Sequence, residues 1–164
     1  MANTIDRTDL KILKILQDKG RITNLQLSSD IGLSPAPTLE RVKKLERSGI
    51  IKDYHAVLNE NKLGLGIQGF MLVTLSRHKS HSINDFIEQM NGIEAVVECY
   101  HITGAADFML KIKVKDIEAY EKLLREKLSA VEEIAQMQTL MILSSSKLSR
   151  VLPINYDQDK FKPE

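Results

Sequence analysis

Four cations within seven residues, Arg41, Lys43, Lys44 and Arg47, are the groups in this 164-residue chain whose spacing most plainly suggests chemistry. Cationic side chains bind phosphate, and an arginine fork can also read a guanine edge. The segment around them, Ser34-Pro35-Ala36-Pro37-Thr38-Leu39-Glu40-Arg41-Val42-Lys43-Lys44-Leu45-Glu46-Arg47-Ser48-Gly49, states its own boundaries. The Ser34 hydroxyl is expected to cap the first turn. Pro35 suits the first helical position, where no N–H is needed, and Gly49 suits a left-handed helix end. Leu39, Val42, Leu45 and Glu46 share one face, the first three as a core stripe. The cations fall largely on the other side, beside the small residues Ala36 and Pro37. Such a helix fits a major groove, with Ala36 and Pro37 near the bases and the Ser34 end at a phosphate. The candidate contacts to double-stranded DNA are Ser34, Pro35, Ala36, Pro37, Thr38, Glu40, Arg41, Lys43, Lys44 and Arg47, with Thr38 nearest the buried side. Taken alone, the segment also suits a solvated surface helix. Its neighbours decide between the two.

Other reactive residues are sparse. His78-x-x-His81 has metal spacing, but no nearby cysteine or carboxylate completes a set, so no metal is expected. His55 and His101 sit in strand-like runs as packing or hydrogen-bonding residues. Cys99 is the single cysteine, which rules out an internal disulfide and points to a reducing compartment. No Ser-His-Asp set, phosphate-cradling glycine loop or carboxylate pair is apparent, so neither an enzyme nor a cofactor is expected. Hydrophobic runs are too short to span a bilayer, and Met1-Ala2-Asn3-Thr4 lacks a signal-peptide pattern. These features indicate a soluble, cytoplasmic protein.

Net charge is only +1, but it is unevenly spread. Residues 1–52 hold ten Lys and Arg against six Asp and Glu, a balance of +4; the remainder holds thirteen against sixteen, or −3. A basic head on a mildly acidic body fits a nucleic-acid-binding unit carried by a domain with another task.

The elements that must position the cations follow from periodicity. Thr4 or Asp6 opens a helix with Ile5, Ile12, Leu13, Ile15 and Leu16 at helical spacing, ended by Gly20. Thr23-Asn24-Leu25-Gln26 has the form of a capping box. A second helix, through Leu25, Leu27 and Ile31, stops at Gly32. Only Leu33 separates that stop from Ser34, which makes a helix-turn-helix with the first helix packed behind. Ile50 to Leu58 is expected as a wing strand, and Asn59 to Gly66 as part of a hinge.

Beyond the hinge the rhythm changes. Ile67 to Leu75 is expected as a strand, then a helix capped by Ser82 carries Ile83, Phe86, Ile87 and Met90 to Asn91-Gly92. Val96 to Ile102 and Asp107 to Val114 are expected as strands around a Gly104-Ala105-Ala106 turn. Asp116 caps a further helix through Ile117, Tyr120, Leu124 and Leu128, and Ile134 to Leu143 closes as a strand. The order βαββαβ is the ferredoxin-like arrangement, with helices on one sheet face. Apolar residues on both strand faces leave an apolar sheet face that helices do not cover, which predicts a two-fold homodimer. Leu148 to Ile154 is expected as an edge strand and the rest as a frayed tail. The class is therefore α+β: 1–52 a winged helix-turn-helix domain, 53–66 a hinge, 67–146 a ferredoxin-like domain, and 147–164 a C-terminal strand and tail.

At this point the chain resembles the Lrp/AsnC family of bacterial and archaeal transcription factors. Ile5-Asp6-Arg7-Thr8-Asp9, Gly20-Arg21-Ile22-Thr23, the run from Gly32 to Glu46 and Gly49-Ile50-Ile51 carry the likeness in the head. In the body it rests on Cys99 to Phe108 and on Tyr120-Glu121-Lys122-Leu123-Leu124. The resemblance implies a DNA-binding transcriptional regulator that dimerises through its ferredoxin-like domain and assembles further, commonly to octamers. It also implies an amino-acid effector, or a related small metabolite, that shifts assembly and DNA binding. The family's effector turn maps onto Thr103, Gly104, Ala105, Ala106 and Asp107, with Gln138 and Thr139 on the last strand as neighbours. Backbone N–H groups of a glycine turn can hold a carboxylate, and Asp107 can pair with an ammonium group; an aspartate at a turn also stabilises the turn itself. Two positions depart from the family pattern: Gly104-Ala105 stands where many members have Gly-Asp, and Glu132-Glu133 where Pro-Gly is frequent. The alternative function is a ligand-independent architectural protein that wraps DNA.

Overall fold

Asp6, at the N-cap of the first helix, shows how tightly local chemistry sets the start of the head. Its carboxylate accepts from the Asp9 N–H at 2.8 Å, and the Asp9 carboxylate accepts from the Asp6 N–H at 3.2 Å, a reciprocal capping box. The computed structural model describes residues 5–76 and 80–154; Thr4, His78 and the tail beyond Ile154 lie outside the described residues. One compact unit takes in the chain up to Val57 and again from Leu148, and the other is Leu58–Lys147.

In the first unit, α1 (Arg7–Asp18), α2 (Asn24–Ile31) and α3 (Pro35–Arg47) surround Ile12, Leu27 and Leu45, each nearly inaccessible to solvent. Full burial of such side chains contributes about 1.5–3 kcal/mol each. Gly32 and Gly49, at φ 76° and 73°, end α2 and α3 in the left-handed region that other residues avoid. The expected wing strand does not form: the described residues of Ile50 to Leu58 hold no strand. A strand needs a hydrogen-bonded neighbour. Instead the N–H groups of Ile50 and Ile51 both donate to the Leu45 carbonyl, at 3.1 and 3.2 Å, turning the chain back onto the helical core. Leu148 to Ile154 is not an edge strand either; it belongs to the same unit as the helices.

The second unit is a four-stranded antiparallel sheet of β1 (Ile67–Leu75), β2 (Val96–His101), β3 (Phe108–Val114) and β4 (Ile134–Met141), in the order β2-β3-β1-β4. Between strands lie α4 (Ser80–Asn91) and α5 (Ile117–Lys122), the latter continued by a π-helical turn over Leu123–Lys127. The ferredoxin-like order is thus realised. Because α4 begins at Ser80, Ser82 lies within its first turn rather than capping it; serine and histidine are both tolerated there. Period-two alternation sends Met71, Val73, Leu110 and Ile112 into a core with Phe86 and Met90 of α4 and with Leu123 and Leu128. Phe86 and Phe108 meet there with ring centroids 4.7 Å apart. Phe70, Leu72, Met109 and Lys111 alternate to the other face, where they are only half-buried.

Candidate nucleic-acid interface and effector turn

The recognition element is assembled by short backbone contacts. Thr23 caps α2 by accepting from the Gln26 N–H at 3.2 Å, and the neighbouring Asn24 amide donates to the Pro35 carbonyl at 2.8 Å, tying the start of α2 to that of α3. Ser34 occupies the N-cap of α3, but its hydroxyl makes no capping bond. Pro37 stands at the third helical position and has no N–H for that hydroxyl to accept from, while the Thr38 hydroxyl and N–H both donate to the Ser34 carbonyl, at 2.9 and 3.3 Å. The exposed Ser34 hydroxyl can therefore serve a phosphate.

The inward stripe of α3 is Thr38, Val42 and Leu45, not Leu39, Val42 and Leu45: Thr38 is fully buried while Leu39 is 41 % exposed. Thr38 is thus corrected from a candidate contact to a packing residue. Opposite it, at 3.6 residues per turn, lie Ala36, Glu40, Lys43 and Arg47, flanked by Pro37 and Lys44, and all six are exposed. Glu40 and Lys43 pair at 3.7 Å. Pro35 is exposed at the N-terminal end.

Arg41 stands apart from the outward cations. Its Nη1 meets Asp6 at 2.6 Å and Asp9 at 2.7 Å, so its charge is directed at α1 instead of outward. Asp9 is 2 % exposed, and a buried carboxylate requires such a partner. The Asp9 bond, followed by that to Asp6, pushes the Arg41 guanidinium pKa up. For Asp6, burial acts to raise the pKa, but the Asp9 N–H and Arg41 together hold the carboxyl below its usual value. Sequence reasoning missed this lock, although its signal was there: Asp6 and Asp9 have capping-box spacing, and Arg41 lies three residues from Thr38, beside the true inward stripe.

In the second unit, Gly104 has φ 122°, a backbone conformation that favours glycine. Asp107 fixes the end of its turn. Its carbonyl accepts from the Ile102 N–H at 2.8 Å, its N–H donates to the Val73 carbonyl at 3.0 Å, and its carboxylate accepts from the Leu75 N–H at 2.7 Å. Among the described residues, the N–H groups of Thr103, Gly104, Ala105 and Ala106 make no backbone hydrogen bond. Thr103, Gly104 and Ala105 are exposed, and Ala106 is half-buried. Gln138 and Thr139 do not join this group within one chain. Opposite Leu72 and Met71 in the register, they point to different sheet faces, and β1 stands between β4 and β3. Thr139 accepts a 2.8 Å bond from the Tyr120 hydroxyl on the helical side.

The remaining reactive residues are engaged elsewhere. His55 pairs with Asp53 and His81 with Asp85, while His101 stacks on Phe108 at 4.7 Å. Burial pushes the Cys99 thiol pKa up, away from the reactive thiolate.

Residues 5–52 match the model of a winged helix-turn-helix DNA-binding domain, and residues 68–152 match that of the Lrp/AsnC ligand-binding domain. The chain belongs to the Lrp/AsnC family. It is a DNA-binding transcriptional regulator of that family. Among its relatives, the transcriptional regulator AzlB of Bacillus subtilis (strain 168) is 38 % identical over 155 residues, covering 94 % of this chain and 99 % of AzlB. The leucine-responsive regulatory protein of Escherichia coli (strain K12) is 39 % identical over 150 residues, 92 % of each chain. A solved transcriptional regulator from Neisseria meningitidis, in complex with L-methionine, has 34 % identity and a TM-score of 0.89, covering 94 % of this chain and all of its own. An AsnC-family regulator from Agrobacterium tumefaciens has 29 % identity and a TM-score of 0.86, covering 92 % of this chain and 98 % of its own. No helix among the described residues is long and apolar enough to cross a membrane.

Proposed function

We propose that this Lrp/AsnC-family protein binds operator DNA through the outer face of α3 and responds to a small α-amino acid held at Thr103–Asp107. The observation that carries the effector reading is the Gly104 turn, whose N–H groups at Thr103–Ala106 are free of backbone partners among the described residues. N–H donors left free in a glycine turn suit a ligand carboxylate. Support also comes from the Neisseria meningitidis relative, which was solved with L-methionine. On the DNA side, Ser34, Ala36, Pro37, Lys43, Lys44 and Arg47 make the contacts, with Pro35 and Glu40 at the rim. The half-buried sheet face around Phe70, Leu72 and Met109 supports a homodimer, and its further assembly to an octamer is proposed on the family resemblance. Gln138 and Thr139 then join the effector site only where copies meet. The protein is proposed to work in the cytoplasm by binding, without a cofactor.

One observation favours the architectural reading. The Asp107 carboxylate already accepts from the Leu75 N–H, tying the turn to the end of β1 as a structural aspartate does. A gel-shift titration on the DNA upstream of the protein's own gene, with and without a mixture of amino acids, separates the two. Specific binding that the mixture alters supports the regulator with an effector. Specific binding indifferent to every amino acid makes the turn structural and the protein architectural.

A further inference from the structure

Of the residues that α3 turns outward, Glu40 is the odd one. Lys43, Lys44 and Arg47 carry side chains that only donate hydrogen bonds, and those of Ala36 and Pro37 do neither. Among these six, the Glu40 carboxylate is therefore the one acceptor on a face otherwise cationic or apolar. Set against DNA phosphate it would be repelled, and the helix would lose affinity by carrying it. The major groove offers a carboxylate a different neighbour, the amino groups of cytosine and adenine.

Glu40 does not stand alone. Its Oε1 lies 3.7 Å from Lys43 Nζ, with the two side chains 65 % and 49 % exposed. Exposed ion pairs three residues apart hold a helix only weakly, so a structural duty does not account for this one. What the pair presents to solvent is an acceptor and a donor side by side. A base pair presents the complement: an amino donor beside a carbonyl acceptor, joined to each other by a hydrogen bond of about 3 Å. That separation is close to the one between Glu40 and Lys43.

Both kinds of base pair carry this amino–carbonyl couple, and the groups on either side of it tell them apart. In a C·G pair the cytosine amino group has only a carbon-bound hydrogen beside it. The guanine carbonyl has a second acceptor beside it, a ring nitrogen that an ammonium group can also serve. In an A·T pair a ring nitrogen acceptor lies on the carboxylate side and repels it, while the thymine methyl lies on the ammonium side. A C·G pair turned end for end sets the carboxylate against the guanine acceptors.

We propose that Glu40 and Lys43 together read one C·G pair in each half-site. The carboxylate accepts from the cytosine amino group, and the ammonium group donates to guanine. The inference rests on the reading that α3 enters the major groove, and deepens it from a contact face to a base preference. Glu40, at the rim of that face, becomes a specificity-determining residue, while Lys44 and Arg47 serve phosphates.

The test uses the full-length chain, a pool of duplexes of random sequence, and titration of the duplexes it selects. The wild-type chain should enrich a motif with a fixed C·G pair, whose replacement by T·A, A·T or G·C weakens binding by about tenfold. Glu40→Ala and Lys43→Ala should each lose that preference, at the same position and no other. The double variant should lose no more of it than either single variant, since the two side chains act as one unit. Glu40→Gln brings a donor as well as an acceptor and should move the preference at that position toward A·T. Both side chains are exposed, so the helical core survives each change. A motif without a fixed C·G pair, preferences lost at two different positions, or affinity altered alike for every sequence would overturn the pair and leave α3 in the groove. A wild-type chain that enriches no motif would overturn the groove reading, and the pair with it.

Discussion

Arg41→Ala separates the two roles open to that side chain, groove contact and internal lock. The Asp6 carboxylate is 49 % exposed, so its half of the cluster contributes only about 0–1 kcal/mol. Asp9 differs, because its side chain is 3 % exposed and, besides Arg41, accepts from the Asp6 N–H at 3.2 Å. Removing one partner of a fully buried pair costs about 3–5 kcal/mol. Arg41 is itself 34 % exposed, so water can enter the vacated space, and about 2 kcal/mol is the appropriate figure for Asp9. The head should therefore be destabilised by about 2–3 kcal/mol, a fall of about 10–20 °C in its thermal midpoint for a unit of this size. Calorimetry of the full chain measures this, alongside DNA titrations at a temperature where the variant head is still folded. Adding Asp9→Asn should restore part of the loss, since the uncompensated charge is then gone. Affinity of the folded variant should stay within about threefold of wild type, as expected for a residue outside the groove. A variant that melts with the wild type but binds its operator more weakly by about 1–3 kcal/mol would refute the lock and return Arg41 to the groove.

Acid should weaken the same cluster. With its folded pKa below the ordinary value, Asp6 contributes stability that is complete above about pH 4 and is lost as the pH falls through that lowered value, visible as a head transition that Arg41→Ala flattens. Lys44→Ala or Arg47→Ala should weaken binding to all sequences alike and reduce the salt slope by about one, measured by titration at several salt concentrations. Gly104→Ala must hold a β-carbon at φ 122° and should cost about 1–3 kcal/mol of body stability in urea denaturation, with loss of any amino-acid response. Tyr54, through burial and its 3.0 Å bond to Glu46, has its pKa pushed up to about 12. An ultraviolet titration should show a late phenol that Tyr54→Phe removes; the stability it contributes is present below the ordinary tyrosine pKa, about 10, and lost as the pH climbs through the raised value.

The parts of the fold that were legible in the sequence are those whose cause is local or strictly periodic. Gly32 and Gly49 announced left-handed helix ends, and alternation in Ile67–Leu75 and Phe108–Val114 announced strands with two unlike faces. What misled was any signal that needs a partner. Ile50 to Leu58 is rich in strand formers, but strand propensity describes fit to a neighbouring strand, and the head offers none. Leu148 to Ile154 looked like a sheet edge for the same reason, whereas a glutamine on α1 supplies the partners of Leu152.

The DNA-binding face illustrates why composition alone misplaces a site. Four cations on one short helix look interchangeable in the sequence, but a rotation of one residue in the buried stripe sorts them. With Thr38 inward in place of Leu39, Lys43, Lys44 and Arg47 remain outside and Arg41 turns toward two carboxylates. That exchange was favoured by energetics no periodicity reports: a threonine can be buried when its hydroxyl bonds back to Ser34, and Asp9 can be buried only beside a cation. Pro37, with no N–H to donate, leaves the Ser34 hydroxyl unbonded at the cap, and Ser34 is exposed at the N-terminal end of α3. The head thus spends one arginine on holding α3 against α1, and gains a helix whose remaining charges are presented at a fixed angle. The angle at which α3 presents those charges therefore depends on Asp6 and Asp9, two acids at the start of α1.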